Sequence, residues 1–194
     1  MTPLPPLILA SASPRRRELL RLLGYPFRAV PSNAPEPPFT GGDPAEYAVE
    51  LARAKARQVA AGRKRPAAVL GADTVVVLDQ QVFGKPRDEA EAAAMLRALS
   101  GRTHRVITGL VLIDPGAGEE AAAVQTAVTF RPLTPEQIAR YVATGEPLDK
   151  AGAYAIQGRG AALVTGLEGC YFNVVGLPVA TVAEMLARRG YPVL

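Results

Sequence analysis

Serine and arginine residues near the start of the chain have the types and spacing of a phosphate site. Ser11-Ala12-Ser13-Pro14 follows a short apolar run and precedes Arg15 and Arg16. Serine before proline is typical of a helix cap followed by the first helical residue. A helix N-terminus offers free backbone N–H groups and partial positive charge, to which hydroxyl and guanidinium groups add donors. The pattern predicts an anion site at Ser11, Ser13 and the two arginines; a capped surface helix with solvated arginines fits it equally well.

Asp73 and Thr74 follow the apolar run 68–72, which we expect to be a buried strand. An acid at the carboxyl end of such a strand lies where open α/β sheets bind ligands. Its carboxylate can hold a hard divalent ion or take a proton from water. We therefore expect Asp73 to be a metal ligand, a general base or both. The structural alternative is an Asp-Thr pair that only satisfies backbone donors before a hairpin.

Lysine is scarce in this arginine-rich chain, which draws attention to the few positions that keep it. Lysine occurs only at Lys55, Lys64, Lys85 and Lys150. Lys85 lies between Gly84, which allows close backbone approach, and Pro86, which fixes the exit of the turn. A lysine on so short a tether is suited to directing a point charge at a phosphate. An ordinary turn is the alternative for this segment.

The segment 149–158 alternates small residues with polar ones, so its backbone can approach a planar ring closely. Lys150 and Gln157 supply directional hydrogen bonds there, and the Gln157 amide matches the donor and acceptor edge of a pyrimidine. The following Gly158-Arg159-Gly160 is no dinucleotide-binding motif, because the strand-to-helix context is missing. His104 lacks a second histidine or cysteine as a co-ligand, so we expect it to make a structural or substrate-side hydrogen bond.

Strands and helices must alternate to position these groups, and the hydrophobic pattern predicts an α/β fold. Helix 44–61 is expected to bury Tyr47, Leu51, Ala54 and Val59. The residues from 149 to 176 are expected to be Gly-rich and irregular. The remaining predicted elements are strand 7–10, a helix from Pro14 to Gly24, strand 27–30, a hairpin over 75–83, helix 88–99, strands 106–113 and 121–130, helix 134–145 and helix 178–189.

Composition narrows the functional class. The length of 194 residues predicts one domain, and the net charge of +4 suits either nucleic acid or a phosphate pocket. The basic residues are dispersed and not interleaved with aromatic ones, which argues against nucleic acid as the main partner. No apolar run is long enough to span a membrane, and the start of the chain lacks the features of a secretory signal. The single cysteine, Cys170, excludes an internal disulfide, and we expect it to be a small core residue. We expect a cytoplasmic protein.

Taken in order, these segments resemble the Maf family of nucleoside triphosphate pyrophosphatases. The resemblance covers nearly the whole chain and implies a fold similar to that of inosine-triphosphate pyrophosphatases. Such a fold has a long mixed sheet flanked by helices, with two lobes around a deep cleft. It further implies hydrolysis between the α and β phosphates with Mg²⁺ or Mn²⁺, and a homodimer. The matching stretches are 9–16, 51–56, 71–74, 84–86, 100–104, 129–133, 141–157 and 173–178.

The resemblance also implies roles for individual residues. Asp73 falls on the proposed general base, and Lys55 and Lys85 fall on phosphate-binding lysines. Glu36 falls on a carboxylate near the metal, although the acid-rich run that often precedes it is replaced by uncharged residues. The resemblance assigns substrate choice to Arg15, Thr74 and Gln157.

The segment Arg102-Thr103-His104, taken with Lys150 and Gln157, is similar to the branch that hydrolyses dTTP and UTP. The resemblance implies a house-cleaning activity linked to septum formation, with modified pyrimidine triphosphates as further substrates. Two alternatives stay open. One is the 7-methyl-GTP pyrophosphatase branch of the same family, and the other is a noncatalytic, nucleotide-sensing regulator of cell division.

Overall fold

Strands and helices alternate along the chain, as the sequence predicts. The computed structural model describes residues 4–192. Three short 3₁₀ helices, Glu146–Asp149, Ala151–Ala153 and Gly158–Leu163, precede the last strand. The other elements are β1 (Leu7–Leu9), α1 (Pro14–Arg21), β2 (Phe27–Ala29), α2 (Pro44–Ala61), β3 (Ala68–Leu78), β4 (Gln81–Phe83), α3 (Glu89–Leu99), β5 (Thr103–Asp114), β6 (Gly118–Phe130), α4 (Pro135–Val142), β7 (Val164–Glu168), α5 (Tyr171–Val175) and α6 (Val179–Arg188).

The strands of residues 4–192 form one mixed sheet with the order β2-β1-β3-β5-β6-β7, and β4 pairs with β3. β1 is parallel to both β2 and β3, whereas β4 is antiparallel to β3 and β7 to β6. This topology confirms the predicted α/β class and long mixed sheet. Within the same residues, no helix is both long and apolar enough to span a lipid bilayer.

The described chain divides into two compact units. The first comprises residues 4–73, 108–124 and 176–192, and the second comprises residues 74–107 and 125–175. Each unit contains a cluster of buried apolar side chains, and we describe each unit separately. That all 194 residues form a single domain, with a cleft between two lobes, stays a prediction.

Helix α2 lies very close to the strands of the first unit. A Cβ on Gly71 would collide with the carbonyl oxygen of Ala52, and one on Gly109 would collide with the backbone of Ala48. Ala48, Ala52 and Ala56 are fully buried. Glycine on the strands therefore faces alanine on the helix, and this pairing sets the short distance between α2 and the sheet.

The prediction of which α2 residues are buried is confirmed in part. Leu51 and Val59 are buried as expected, but Tyr47 and Ala54 are only half-buried. The alanine stripe takes the innermost positions because larger side chains do not fit against the strand glycines. Tyr47 is thereby left at the margin of the helix contact, where its hydroxyl donates to the carbonyl oxygen of Pro37 at 2.7 Å.

Strand β3 continues through Asp73 and Thr74, so the prediction that it ends before them is wrong. The strand has 11 residues, Ala68–Leu78. The β-branched run Thr74-Val75-Val76-Val77 favours extended backbone, and no turn residue interrupts it. Asp73 nevertheless lies beyond the end of β1, because the pairs between β1 and β3 end at Leu70.

Four predicted helix starts are confirmed by their capping hydrogen bonds. Ser13, Asp43 and Asp88 each accept a bond from a backbone N–H in the first turn, and Thr134 forms a capping box with Gln137. The predicted hairpin at Asp79 is confirmed as well, since Leu78 pairs with Gln81. Short-range rules suffice for these features because capping and turn formation depend on adjacent residues.

Residues 149–176 are more regular than predicted. They contain 3₁₀ helices, strand β7 and helix α5. Gly166 lies in the middle of β7, where Thr129 of β6 pairs with it. Glycine weakens the sequence signal of a strand, and this strand is recognisable only through its partner.

Three rings form a compact cluster in the core of the second unit. The rings of His104, Phe130 and Tyr154 are mutually edge-to-face, with centroids 4.7–5.3 Å apart. His104 Nε2 and the Tyr154 hydroxyl are 2.8 Å apart, and His104 is only 1% exposed. Burial lowers the pKa of His104 to about 4. His104 thus has the structural role that the sequence left open.

We expect Gly71→Ala to destabilise the chain by about 3 kcal/mol, because the added methyl group meets backbone that cannot rotate away. Gly62→Ala, at the C-terminal end of α2, is the matched control. A Cβ at Gly62 would lie 3.7 Å from the carbonyl oxygen of Val59, which is an ordinary van der Waals distance. Urea unfolding measures both variants. Equal stability of the two would contradict the close packing of α2 on β3.

His104 is the single histidine of the chain, so its titration can be followed directly. Burial lowers its pKa from the ordinary 6.5 to about 4. Between these values the unfolded chain binds a proton that the folded chain does not. Stability should therefore fall as the pH drops through this window, by about 3 kcal/mol in total from this group. NMR of the imidazole proton should give a folded-state midpoint near 4, and a midpoint between 6 and 7 would contradict the burial.

In His104→Gln this contribution is removed, so stability should depend less on pH over the same window. Urea unfolding of both proteins at several pH values between 4.5 and 7.5 makes the comparison. Identical pH dependence in the two proteins would exclude His104 as the source.

Candidate active site

A lysine lies between two carboxylates in the first unit. Lys55 Nζ donates to Glu36 Oε1 at 2.6 Å and to Asp73 Oδ1. The side chains of Lys55 and Asp73 are each 12% exposed, whereas that of Glu36 is 53% exposed. Charge-assisted bonds of this kind are among the stronger polar interactions in proteins. The structure thus brings together three residues that were predicted to share one site.

Helix α2 and strand β3 position this trio. Lys55 lies between Ala52 and Ala56 on the helix, the two alanines that contact Gly71 of the strand. Asp73 follows Gly71 by two residues and therefore lies on the same face of the strand. The close helix-to-strand contact brings the lysine within reach of the acid.

Arg16 and Tyr47 lie within the electrostatic field of the same carboxylates. Desolvation lowers the pKa of Arg16, and the charges of Asp73 and Glu36 act in the opposite direction. Burial raises the pKa of Tyr47, and the same two acids raise it further. The positive charge of Arg15 adds to the lowering at Arg16. Asp73 and Glu36 therefore act electrostatically on Arg16 and Tyr47 as well as on Lys55.

The two serines shape the turn that precedes α1. Ser11 Oγ accepts from the backbone N–H of Ser13 at 3.1 Å, and Ser13 Oγ accepts from that of Arg16 at 3.4 Å. Arg16 Nε donates to the carbonyl oxygen of Gly176 at 2.8 Å. These bonds hold Arg16 in place at the end of the turn. That Ser11, Ser13, Arg15 and Arg16 bind phosphate stays a prediction.

The donor set of the first unit fits a hard divalent ion. Glu36 and Asp73 offer carboxylate oxygens, and Mg²⁺ is commonly held by one or two carboxylates together with substrate phosphates and water. No cluster of three or more His, Cys, Asp or Glu side chains suited to a metal occurs within residues 4–192. Glu36 and Asp73 are thus residues of this unit whose oxygen chemistry fits such an ion.

The second unit contains the other predicted site residues. Lys85 is exposed, and the carbonyl of the preceding Gly84 accepts from the backbone N–H of Gly152 at 3.0 Å. This bond joins the Lys85 turn to the segment that carries Lys150. The Lys150 side chain is only 14% exposed and forms an ion pair with Asp149. Lys85 and Lys150, which are far apart in sequence, thus lie on two segments that are hydrogen-bonded to each other.

Gln157 is exposed, and Thr74 is half-buried on β3. Residues 158–160, which follow Gln157, are bonded to Glu146: its carboxylate accepts from the backbone N–H groups of Arg159 and Gly160. Whether Thr74, Lys85, Lys150 and Gln157 contact a substrate stays a prediction.

Two side chains of these networks, Tyr47 and Glu146, are not among the site residues predicted from the sequence. Tyr47 was expected in the core, yet its spacing of eight residues from Lys55 places both on one side of α2. Glu146 lies in the matching stretch 141–157, but the sequence assigns it no role, because two of its three partners are backbone N–H groups. Cys170, expected in the core, is half-buried.

Comparison with known proteins gives matches over nearly the whole length of the chain. The Maf-like protein family model matches residues 6–189. The dTTP/UTP pyrophosphatase of Moorella thermoacetica is 59% identical, covering 96% of this chain and 96% of its own. That of Pelotomaculum thermopropionicum is 53% identical, covering 97% of this chain and 98% of its own. The solved structure of the nucleoside-triphosphatase / dITP/XTP pyrophosphatase from Mycobacterium abscessus has a TM-score of 0.46 at 17% identity and covers 95% of this chain and 94% of its own.

The family match includes every predicted site residue, from Ser11 to Gln157. The two relatives from Moorella and Pelotomaculum share more than half of their aligned residues with this sequence over nearly its full length. This chain belongs to the Maf family.

Proposed function

We propose that this chain hydrolyses dTTP and UTP to the monophosphate and pyrophosphate. As a member of the Maf family with close relatives named dTTP/UTP pyrophosphatase, the chain is a nucleoside triphosphate pyrophosphatase. The observation that carries the proposal is the trio in which Lys55 bonds both Glu36 and Asp73. It provides a base, a phosphate-binding cation and two hard oxygen ligands in one place.

In the proposed mechanism Asp73 accepts a proton from a water molecule as the water oxygen attacks the α-phosphorus. The bond between the α-phosphorus and the bridging oxygen breaks, and that oxygen leaves with pyrophosphate. Lys55 orients the Asp73 carboxylate and neutralises charge on the phosphates. Lys85, Arg15 and Arg16 add positive charge to the same group.

A divalent cation, Mg²⁺ or Mn²⁺, completes the proposal. Glu36 and Asp73 would hold it, in agreement with their oxygen chemistry and with the partial exposure of Glu36. Once bound, such an ion supplies charge neutralisation and alignment for the triphosphate. Asp73 is proposed as the general base, as a metal ligand or as both.

The pyrimidine base is assigned to residues of the second unit. Gln157 has the donor and acceptor pair that matches a pyrimidine edge. Lys150, held by Asp149, and Thr74 are the other proposed base or sugar contacts, while Ser11 and Ser13 contribute hydroxyl donors to phosphate. Modified pyrimidine triphosphates are proposed as further substrates.

The cellular setting of the activity is part of the proposal. We propose a cytoplasmic homodimer with a house-cleaning role linked to septum formation. The single cysteine accords with a reducing compartment.

A turnover panel tests the proposal directly. With Mg²⁺ or Mn²⁺, we expect pyrophosphate mainly from dTTP and UTP, in preference to CTP, GTP, ATP and 7-methyl-GTP. Product analysis distinguishes pyrophosphate from orthophosphate, and a chelator should abolish the reaction until the metal is restored.

The other outcomes of the panel are equally informative. Pyrophosphate mainly from 7-methyl-GTP would place the chain in that branch and overturn the assignment of Lys150 and Gln157. Binding of nucleotide without turnover would indicate the noncatalytic regulator. Turnover that survives complete removal of metal would contradict the proposed role of the cation.

We expect Asp73→Asn to keep the fold and to lower kcat by ~10²-fold or more, because the amide cannot accept the proton from water. Steady-state kinetics with dTTP provide the measurement, and thermal unfolding confirms that the variant is folded. Asp79→Asn is the matched control, since Asp79 is an exposed acid paired with Arg102. Full activity of Asp73→Asn would rule out the mechanism.

A further inference from the structure

Residues 158–160 form the first turn of the 3₁₀ helix Gly158–Leu163, called the 158–160 loop below, and they bind a carboxylate of the chain itself. Glu146 Oε1 accepts from the backbone N–H of Gly160 at 3.0 Å, and Oε2 accepts from that of Arg159 at 3.1 Å. The Tyr141 hydroxyl donates a third bond to Oε1 at 2.8 Å. Successive backbone N–H groups that converge in this way form an anion-binding nest. Here the bound anion is Glu146.

Glycine is required at both ends of this loop. Gly158 has a φ of +67°, and a Cβ there would lie 2.7 Å from Glu146 Oε2. A Cβ on Gly160 would lie 2.5 Å from the hydroxyl oxygen of Tyr141. The backbone can close around the carboxylate and the phenol only because neither position carries a side chain.

Tyr141 extends the network to the other side of Gln157. Its hydroxyl accepts from the backbone N–H of Ala155 at 3.2 Å while it donates to Glu146. Tyr141 is buried and lies on α4, so a rigid element supports the network. Residues on both sides of Gln157 are therefore anchored, whereas Gln157 itself is exposed.

The charge of Glu146 strengthens this arrangement. Burial raises the pKa of its carboxyl group, but the N–H of Gly160, the hydroxyl of Tyr141, the N–H of Arg159 and the charge of Lys150 lower it by more. The net pKa lies below the ordinary value, so the group is ionised at neutral pH. Hydrogen bonds to an ionised acceptor are stronger than those to a neutral one.

We infer that Glu146 is a positioning residue for pyrimidine selection, which with Tyr141 fixes the backbone that presents Gln157 to the base. The inference rests on the proposed function, in which Gln157 contacts the base and Glu146 acts only through it. A hydrogen-bonding group displaced by about 1 Å can cost ~10²-fold in kcat/KM. The fixed loop is therefore a source of discrimination between bases.

The test compares Glu146→Gln, Tyr141→Phe and the control Glu168→Gln, which removes an exposed acid of the same unit. For the first two, the ratio of kcat/KM for dTTP to that for CTP should fall about tenfold or more. The KM for dTTP should rise while kcat changes less than about threefold. Glu168→Gln should match the wild type, and Tyr141→Phe keeps the test informative if Glu146→Gln folds poorly.

A double-mutant cycle with Gln157→Ala separates positioning from general stabilisation. If Glu146 acts through Gln157, adding Glu146→Gln to Gln157→Ala should cause no further loss of preference for dTTP. A purely structural Glu146 would lower the melting temperature and leave the preference unchanged. Additive losses of preference, or an unchanged preference in Gln157→Ala, would also overturn the inference.

Measurements on the wild-type protein distinguish failure of the proposed function from failure of the inference on Glu146. Absence of pyrophosphate release from the wild type would overturn the proposed function and this inference with it. A wild type that prefers dTTP, with Glu146→Gln and Tyr141→Phe variants of the same preference, would overturn the inference alone.

Discussion

The candidate site of the first unit depends on how closely α2 approaches the sheet. Gly71 and Gly109 leave no room for a Cβ beneath the helix backbone. This proximity lets Lys55 bond Asp73 on the neighbouring strand. A larger residue at Gly71 would push the helix outward, and donor–acceptor distances beyond about 3.2 Å lie outside the usual range of protein hydrogen bonds. A packing constraint among the smallest residues thus determines the geometry of the chemically active ones.

The charges around Lys55 explain why the site is stable before any substrate binds. Two acids and one lysine leave a net negative charge, which Arg16 and Arg15 more than offset. Partly buried charges of this kind are tolerated because each has an oppositely charged partner. A nucleoside triphosphate brings several negative charges, so this group alone cannot neutralise it. The proposed function accordingly needs Lys85 and a divalent cation as well.

The sequence predicted the parts of the fold that depend on neighbouring residues. The caps at Ser13, Asp43 and Asp88 were predictable because a cap is a contact within one helical turn. The sequence does not predict strand β7, because Gly166 interrupts its pattern, and it places the end of β3 too early, because Asp73 interrupts the apolar run. A polar side chain inside a buried strand contradicts simple patterning, and such exceptions are expected at functional sites.

The candidate site was predictable for a different reason. Lys55, Glu36 and Asp73 were grouped through resemblance to the Maf family, since no spacing rule joins residues so far apart in sequence. Scarcity of lysine supported the choice independently. Sequence patterns do not predict the roles of Tyr47 and Glu146. Tyr47 donates to a carbonyl oxygen and Glu146 accepts from two backbone N–H groups, and any sequence supplies such partners.

The Gly158-Arg159-Gly160 loop shows why a glycine pattern alone does not identify a phosphate site. The same freedom that lets a backbone wrap a phosphate lets it wrap the carboxylate of Glu146. With two of its N–H groups bonded to Glu146, this loop is not free to bind a phosphate through them. The proposed function therefore separates two tasks: cationic side chains and a metal ion neutralise the triphosphate, and a loop fixed by an internal anion selects the base. Rigidity at Gln157 then contributes to specificity because it limits how far the amide can adjust to an incorrect base.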